Sequence, residues 1–150
     1  MKDQLQKGGY QLHTFVYSVH YLLQQLHEQK LLKAGDISLY IVELLSEKFL
    51  EELFVSASGV DGTLEDVEKV KIKESKSKKA IPVFEYFGQY IDFRTSFFSL
   101  IAPVMRTLEH NPNMNKITSS EELLNRVSNT LLKNESVKGD DLLMFLYTVI

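Results

Sequence analysis

The spacing of apolar residues constrains this chain more than any other feature. Between Tyr10 and Gln29, Leu12, Phe15, Val16, Val19, Leu22, Leu23 and Leu26 recur at i, i+3, i+4 and i+7, the interval that lines one side of an α-helix. The period returns at Ile37, Tyr40, Ile41, Leu44, Leu45, Phe49 and Leu53, with Glu43, Glu47 and Glu51 on the wet side. It returns at Ile81, Phe84, Phe87 and Ile91, then at Phe97, Leu100, Ile101, Val104, Met105 and Leu108, then at Leu123, Leu124, Val127, Leu131 and Leu132. A last apolar stretch, DLLMFLYTVI, follows Gly139. No convincing strand pattern occurs, so the fold class is all-α.

Helix boundaries follow from the residues that stop and cap. Gly8 and Gly9 predict a first helix that begins at Tyr10, and Gly35 with Asp36 predicts a loop and N-cap before a helix near Ile37. These two read as an antiparallel hairpin. Pro82 fits a first turn, where its missing N–H costs nothing, whereas Pro103 should kink or divide its helix. In TSSEE at 118–122, Thr118 with Glu121 or Ser119 with Glu122 offers a capping box for ELLNRVSNTLLK. Gly139, Asp140 and Asp141 repeat the loop-and-cap device. Residues 55–79 break the pattern with loop chemistry, a short charged stretch and a basic run, a charged insertion in a single helical unit spanning 1–150. Six or so helices in antiparallel pairs joined by short turns match a HEAT-like α-solenoid segment, although no residue-level repeat is visible. The apolar final residues predict a fragment of a larger chain, without a polar cap on that side, which in isolation should self-associate or expose apolar surface.

Composition excludes several classes of function. A chain of 150 residues with 44% apolar residues can bury a real core. The absence of cysteine excludes disulfides, thiolate catalysis and cysteine-bound zinc, and suits a reducing compartment. The apolar runs fall short of a bilayer span and no signal-peptide pattern opens the chain, so no membrane contact is expected. A net charge of -3 leaves no global basic field, so any nucleic-acid contact must come from a local patch.

Such a patch is KVKIKESKSKK at 69–79, six lysines against one glutamate. Lys69, Lys71, Lys73, Lys76, Lys78 and Lys79 are candidate RNA or phosphate contacts, against the plainer reading of a solvated linker. Without interleaved aromatics or arginines they give no base readout. Ser75 and Ser77 lie among them, where phosphorylation would cut the positive charge.

His13, His20 and His27 stand seven apart, on one face of the first helix and roughly 10 Å from each to the next, too far for one metal ion. HEQKL at His27 opens like a zinc-protease signature but places Leu31 where the second histidine belongs. These imidazoles read as boundary residues in a seam between packed helices; a pH switch has no specific support. The pairs Asp140 and Asp141, Glu121 and Glu122, and Glu51 and Glu52 read as helix starts or solvated faces. No glycine-rich phosphate loop and no nucleophile elbow is present, so neither enzymatic activity, a cofactor nor a metal is expected.

With the helices placed, GGYQLHTFVYSVHYLLQQL at 8–26 resembles the GYQLH segment of the down-regulated-in-metastasis family, the very large HEAT-repeat component of the small-subunit processome. SKSKKAIPVFEYFGQYI at 75–91, SLIAPVMRTLEH at 99–110 and SSEELLNRVSNTLLKNESVKGDDLLMFLYTVI at 119–150 resemble the elements that follow there, so the similarity spans nearly the whole chain. The loop at 55–74 departs from it. The resemblance implies a piece of a nuclear, nucleolar scaffold that supports small-subunit ribosome assembly and pre-rRNA processing without catalysis. Its implied partners are pre-ribosomal proteins, precursor small-subunit rRNA and neighbouring repeats of the same chain. Two other readings stay open: a helical-repeat adaptor such as a transport receptor or coat-like scaffold, and a small enzyme with a histidine-lined pocket.

Overall fold

The apolar stripes become six helices in the computed structural model, which describes residues 2–57, 79–110 and 112–149. They are α1 (Lys2–Glu28), α2 (Leu39–Ala57), α3 (Ala80–Tyr90), α4 (Phe93–His110), α5 (Met114–Leu131) and α6 (Gly139–Val149). The described residues contain no strand, only an isolated parallel bridge between Ile37 and Ile91. The all-α reading holds. Most of the 55–79 insertion lies outside the described residues.

Three boundaries differ from expectation, each for a physical reason. α1 starts at Lys2 and runs through Gly8 and Gly9; glycine weakens a helix by about 1 kcal/mol per residue but keeps the N–H that carries the ladder. α2 starts at Leu39, two residues after Ile37, because Ser38 Oγ accepts from Ile41 N at 3.4 Å. Asp36 instead closes the preceding turn by accepting from Lys33 N at 2.7 Å. α4 remains one helix with Pro103 inside, since Leu100 and Val104 on either side are seated in the same core. α5 starts at Met114, capped by Asn113, whose Oδ1 accepts from Lys116 N at 2.8 Å. The TSSEE segment is therefore helix interior, where Thr118 Oγ1 donates back to Met114 O at 2.9 Å.

The helices stack in a way that helical spacing alone did not reveal. The most extensive contacts join α3 to α5 and α2 to α4, followed by α1 to α3; immediate neighbours in the chain touch less. α1, α3 and α5 thus form one layer and α2 and α4 another. α6 joins the second layer by placing Phe145 against Phe93 and Phe97, with ring centroids 5.9 and 5.1 Å away. Contact between every second helix is how helical repeats propagate, each pair burying its face on the next.

The turns within the pairs share one construction: Ile37–Ser38, Ile91–Asp92 and Val137–Lys138 each set an aliphatic residue before the position that precedes a helix. At the middle turn Asp92 Oδ2 accepts from Thr95 N at 3.2 Å, a side-chain N-cap. The flanking turns close on that middle one. Gly35 N and Ile37 N donate to Tyr90 O at 2.9 and 3.2 Å. From the other side the buried Asn134 donates through Nδ2 to Gly88 O at 2.8 Å and Ile91 O at 2.9 Å. The last carbonyls of α3, which no helical N–H reaches, are satisfied by two loops of the chain.

The core centres on α3. Phe84 and Phe87 meet Phe49 of α2 with centroids 6.4 and 5.8 Å away, all three rings being shielded from water. Each such ring contributes roughly 2–3 kcal/mol by burial. Gly88 lets α5 approach, since a Cβ there would lie 2.2 Å from Thr130 Oγ1 and 3.3 Å from Val127 Cγ1.

Candidate functional site

The seven-residue histidine spacing on α1 directs all three imidazoles toward α2 and α3, where His13 meets Glu52 and the other two share Tyr86. His13 Nδ1 lies 2.5 Å from Glu52 Oε1 of α2. His20 is buried with its ring 6.0 Å from that of Tyr86. His27 Nδ1 lies 2.5 Å from the Tyr90 hydroxyl, and its ring sits 5.3 Å from Tyr86 and 5.8 Å from Tyr90.

Burial, and then the charge of Lys79, push the His20 imidazole below its ordinary pKa. Burial also raises the phenols of Tyr86 and Tyr90, helped for Tyr86 by Glu28 and Glu85. The group is a polar zip along the junction of α1 with its neighbours. It fits the reading of boundary histidines satisfied at a helix seam. Among the described residues no three His, Asp or Glu side chains are placed to hold a metal ion.

Glu52 corrects the sequence reading, which placed it with Glu51 on a solvated face. Only 1% of it is exposed, whereas Glu51 is exposed. Its position three after Phe49 and seven after Leu45 puts it on the buried stripe of α2, a signal the sequence carried. Tyr86 and Tyr90 were also missed, being 59 to 66 residues in the chain from the histidines they meet.

Of the candidate RNA contacts, Lys69, Lys71, Lys73, Lys76 and Lys78 lie outside the described residues. Lys79 immediately precedes α3, half-buried, with its ammonium close enough to act on His20. The structure therefore does not gather the six lysines into one described site.

What the described residues do present is exposed apolar surface at both ends of the stack. On α1 and α2 it comprises Phe15, Leu22, Tyr40 and Leu44; on α6 it comprises Leu143, Met144, Leu146 and Tyr147. Single exposed apolar side chains are ordinary, but a helix with four of them presents an adhesive face. No helix of the described residues is long and apolar enough to cross a membrane. Such faces suit association with other helices.

Comparison with known proteins gives this architecture a family. The protein named U3 small nucleolar RNA-associated protein 20 in Schizosaccharomyces pombe (strain 972 / ATCC 24843) is 31% identical over 143 residues, covering 95% of this chain and 6% of that protein. Its namesake in Saccharomyces cerevisiae (strain ATCC 204508 / S288c) is 31% identical over 144 residues, covering 93% of this chain and 5% of that protein. The chain thus spans only 5–6% of the length of these curated relatives. No solved structure matches. A family model for the U3 small nucleolar RNA-associated protein 20 domain matches residues 1–150, from end to end. The resemblance carried by GYQLH and the helices after it is borne out: the chain belongs to the U3 small nucleolar RNA-associated protein 20 family.

Proposed function

We propose that this chain is a helical-repeat scaffold segment of a nucleolar pre-ribosomal particle, supporting small-subunit assembly and pre-rRNA processing through protein and RNA contacts. One observation carries the reading: end-to-end membership of a family named for association with U3 small nucleolar RNA. The stacking of every second helix supplies the means, because a stack of repeats offers extended surface to its partners. The segment performs no catalytic step of its own; the three histidines of α1 are engaged in packing, where a nucleophile or base would need access to substrate.

In this reading the exposed faces of α1 and α6, at the two ends of the stack, are covered by neighbouring helices of the same long chain. The lysines at 69–79 give RNA phosphates a salt-sensitive contact, with shape and not base identity as the thing recognised. The test is purification of the full-length protein with its RNA and protein companions, together with its depletion. Precursor small-subunit rRNA and processome proteins are expected in the eluate, and accumulation of unprocessed precursor after depletion. Unchanged rRNA maturation, or an eluate of transport or coat proteins, would overturn the proposal.

A further inference from the structure

We infer that the surface between α2 and α4 is a docking groove for a basic, amphipathic α-helix of a partner protein. Two contiguous hollows of about 530 and 550 Å³ lie there, sharing Glu47, Pro103 and Arg106. Arg106 Nη2 donates to Glu47 Oε1 at 3.0 Å and ties the two walls together at their middle. The groove follows α2 from Glu43 to Phe54, about 16 Å at the helical rise. That length accepts about three turns of a bound helix.

Charge and apolarity on the walls define the occupant. Glu43, Glu47 and Glu51 recur every fourth residue along the α2 rim, and Glu109 stands on the α4 wall. Against these four carboxylates stand Arg106, already held by Glu47, with Lys116 and the imidazole of His110 at one end. The complement is a helix with lysine or arginine at i, i+4 and i+8, reading the α2 rim in register. Phe98, 64% exposed, and Met105, 39% exposed, give its opposite face apolar seats.

Pro103 adds a polar feature. It has no N–H to give to the carbonyl of Ser99, four residues back, and both residues line the groove. That carbonyl, without its usual donor, is an acceptor for a lysine or arginine head. A nucleic acid would meet the carboxylate rim as a like charge, which turns this face away from RNA.

The inference rests on the scaffold reading only in taking a protein as partner, and its test separates the two. A photoreactive phenylalanine analogue replaces Phe98 in the full-length protein, with the same analogue at Tyr17, exposed on the other layer, as the control. After irradiation of cells the joined peptides are sequenced. From position 98 the expected product is a peptide of another protein with basic residues on one helical face and apolar residues on the other.

Its yield should fall about tenfold when the exposed rim is reversed by Glu43→Lys with Glu51→Lys, while the control yield is unchanged. Capture of RNA, of an acidic or uncharged peptide, of another part of the same chain, or of nothing from position 98 would overturn the inference, as would a yield indifferent to the reversal. A protein that enters pre-ribosomal particles yet fails this test fails the groove alone. One absent from those particles fails the scaffold reading.

Discussion

α3 and α6 are both eleven residues long and equally rich in apolar side chains, yet they have opposite fates. α3 buries Ile81, Val83, Phe84, Phe87 and Tyr90 between three neighbours, whereas α6 leaves Leu143, Met144, Leu146 and Tyr147 at 53–87% exposure. Composition therefore does not decide which helix becomes core. Position in the stack does: α3 has α1 on one side and α5 on the other within its layer, plus α2 across from it, while α6 meets the rest mainly through Leu142, Phe145 and the Arg94–Asp141 ion pair.

The contrast breaks most visibly if α3 is not the keystone. Phe84→Ala should cost about 4 kcal/mol in urea unfolding, the range for emptying a buried aromatic site, and a loss below 1 kcal/mol would displace α3 from that role. Next is the clamp on its C-terminal end. Asn134→Ala leaves the Gly88 and Ile91 carbonyls without their buried donor and should cost about 3 kcal/mol by the same measurement.

A smaller effect follows from His20 at the α1–α3 seam. Its pKa is lowered in the folded chain, so the unfolded chain binds the extra proton first as pH falls. The sign is that stability is fuller above the ordinary imidazole range and is lost as pH drops through about 6.5 toward the folded value. Thermal unfolding from pH 7.5 to 5.5 should show that decline, and His20→Gln should flatten it. An unaltered slope in the variant would remove His20 as its source. The smallest effect belongs to α6, where Leu143→Ser should change the stability of the chain by no more than about 0.5 kcal/mol, since that side chain is 68% exposed.

Much of this was legible in the sequence. Helical periodicity located every described helix, and Pro82 marked the first turn of α3. What spacing could not show was which helix meets which, because Asn134 finds Gly88 from 46 residues away and His27 finds Tyr90 from 63. Such pairings depend on how the turns stack. The cap at Asn113 was obscured by a stronger-looking capping box five residues later, and Gly88 gave no sign that α5 approaches it. The histidine stripe drew attention to the right seam, but Glu52 was misplaced by its charge when its wheel position favoured burial.

The central claim is that these helices are one stretch of a continuous stack, with the face of α6 covered in the longer protein. Hydroxyl-radical footprinting tests it directly, comparing oxidation of Met144, 69% exposed here, in the 150-residue chain and in the full-length protein. The account predicts fast oxidation of Met144 in the short chain and strong protection in the long one, with the buried Phe84 protected in both. Equal oxidation of Met144 in the two would contradict it, leaving α6 a surface helix and the stack without its continuation.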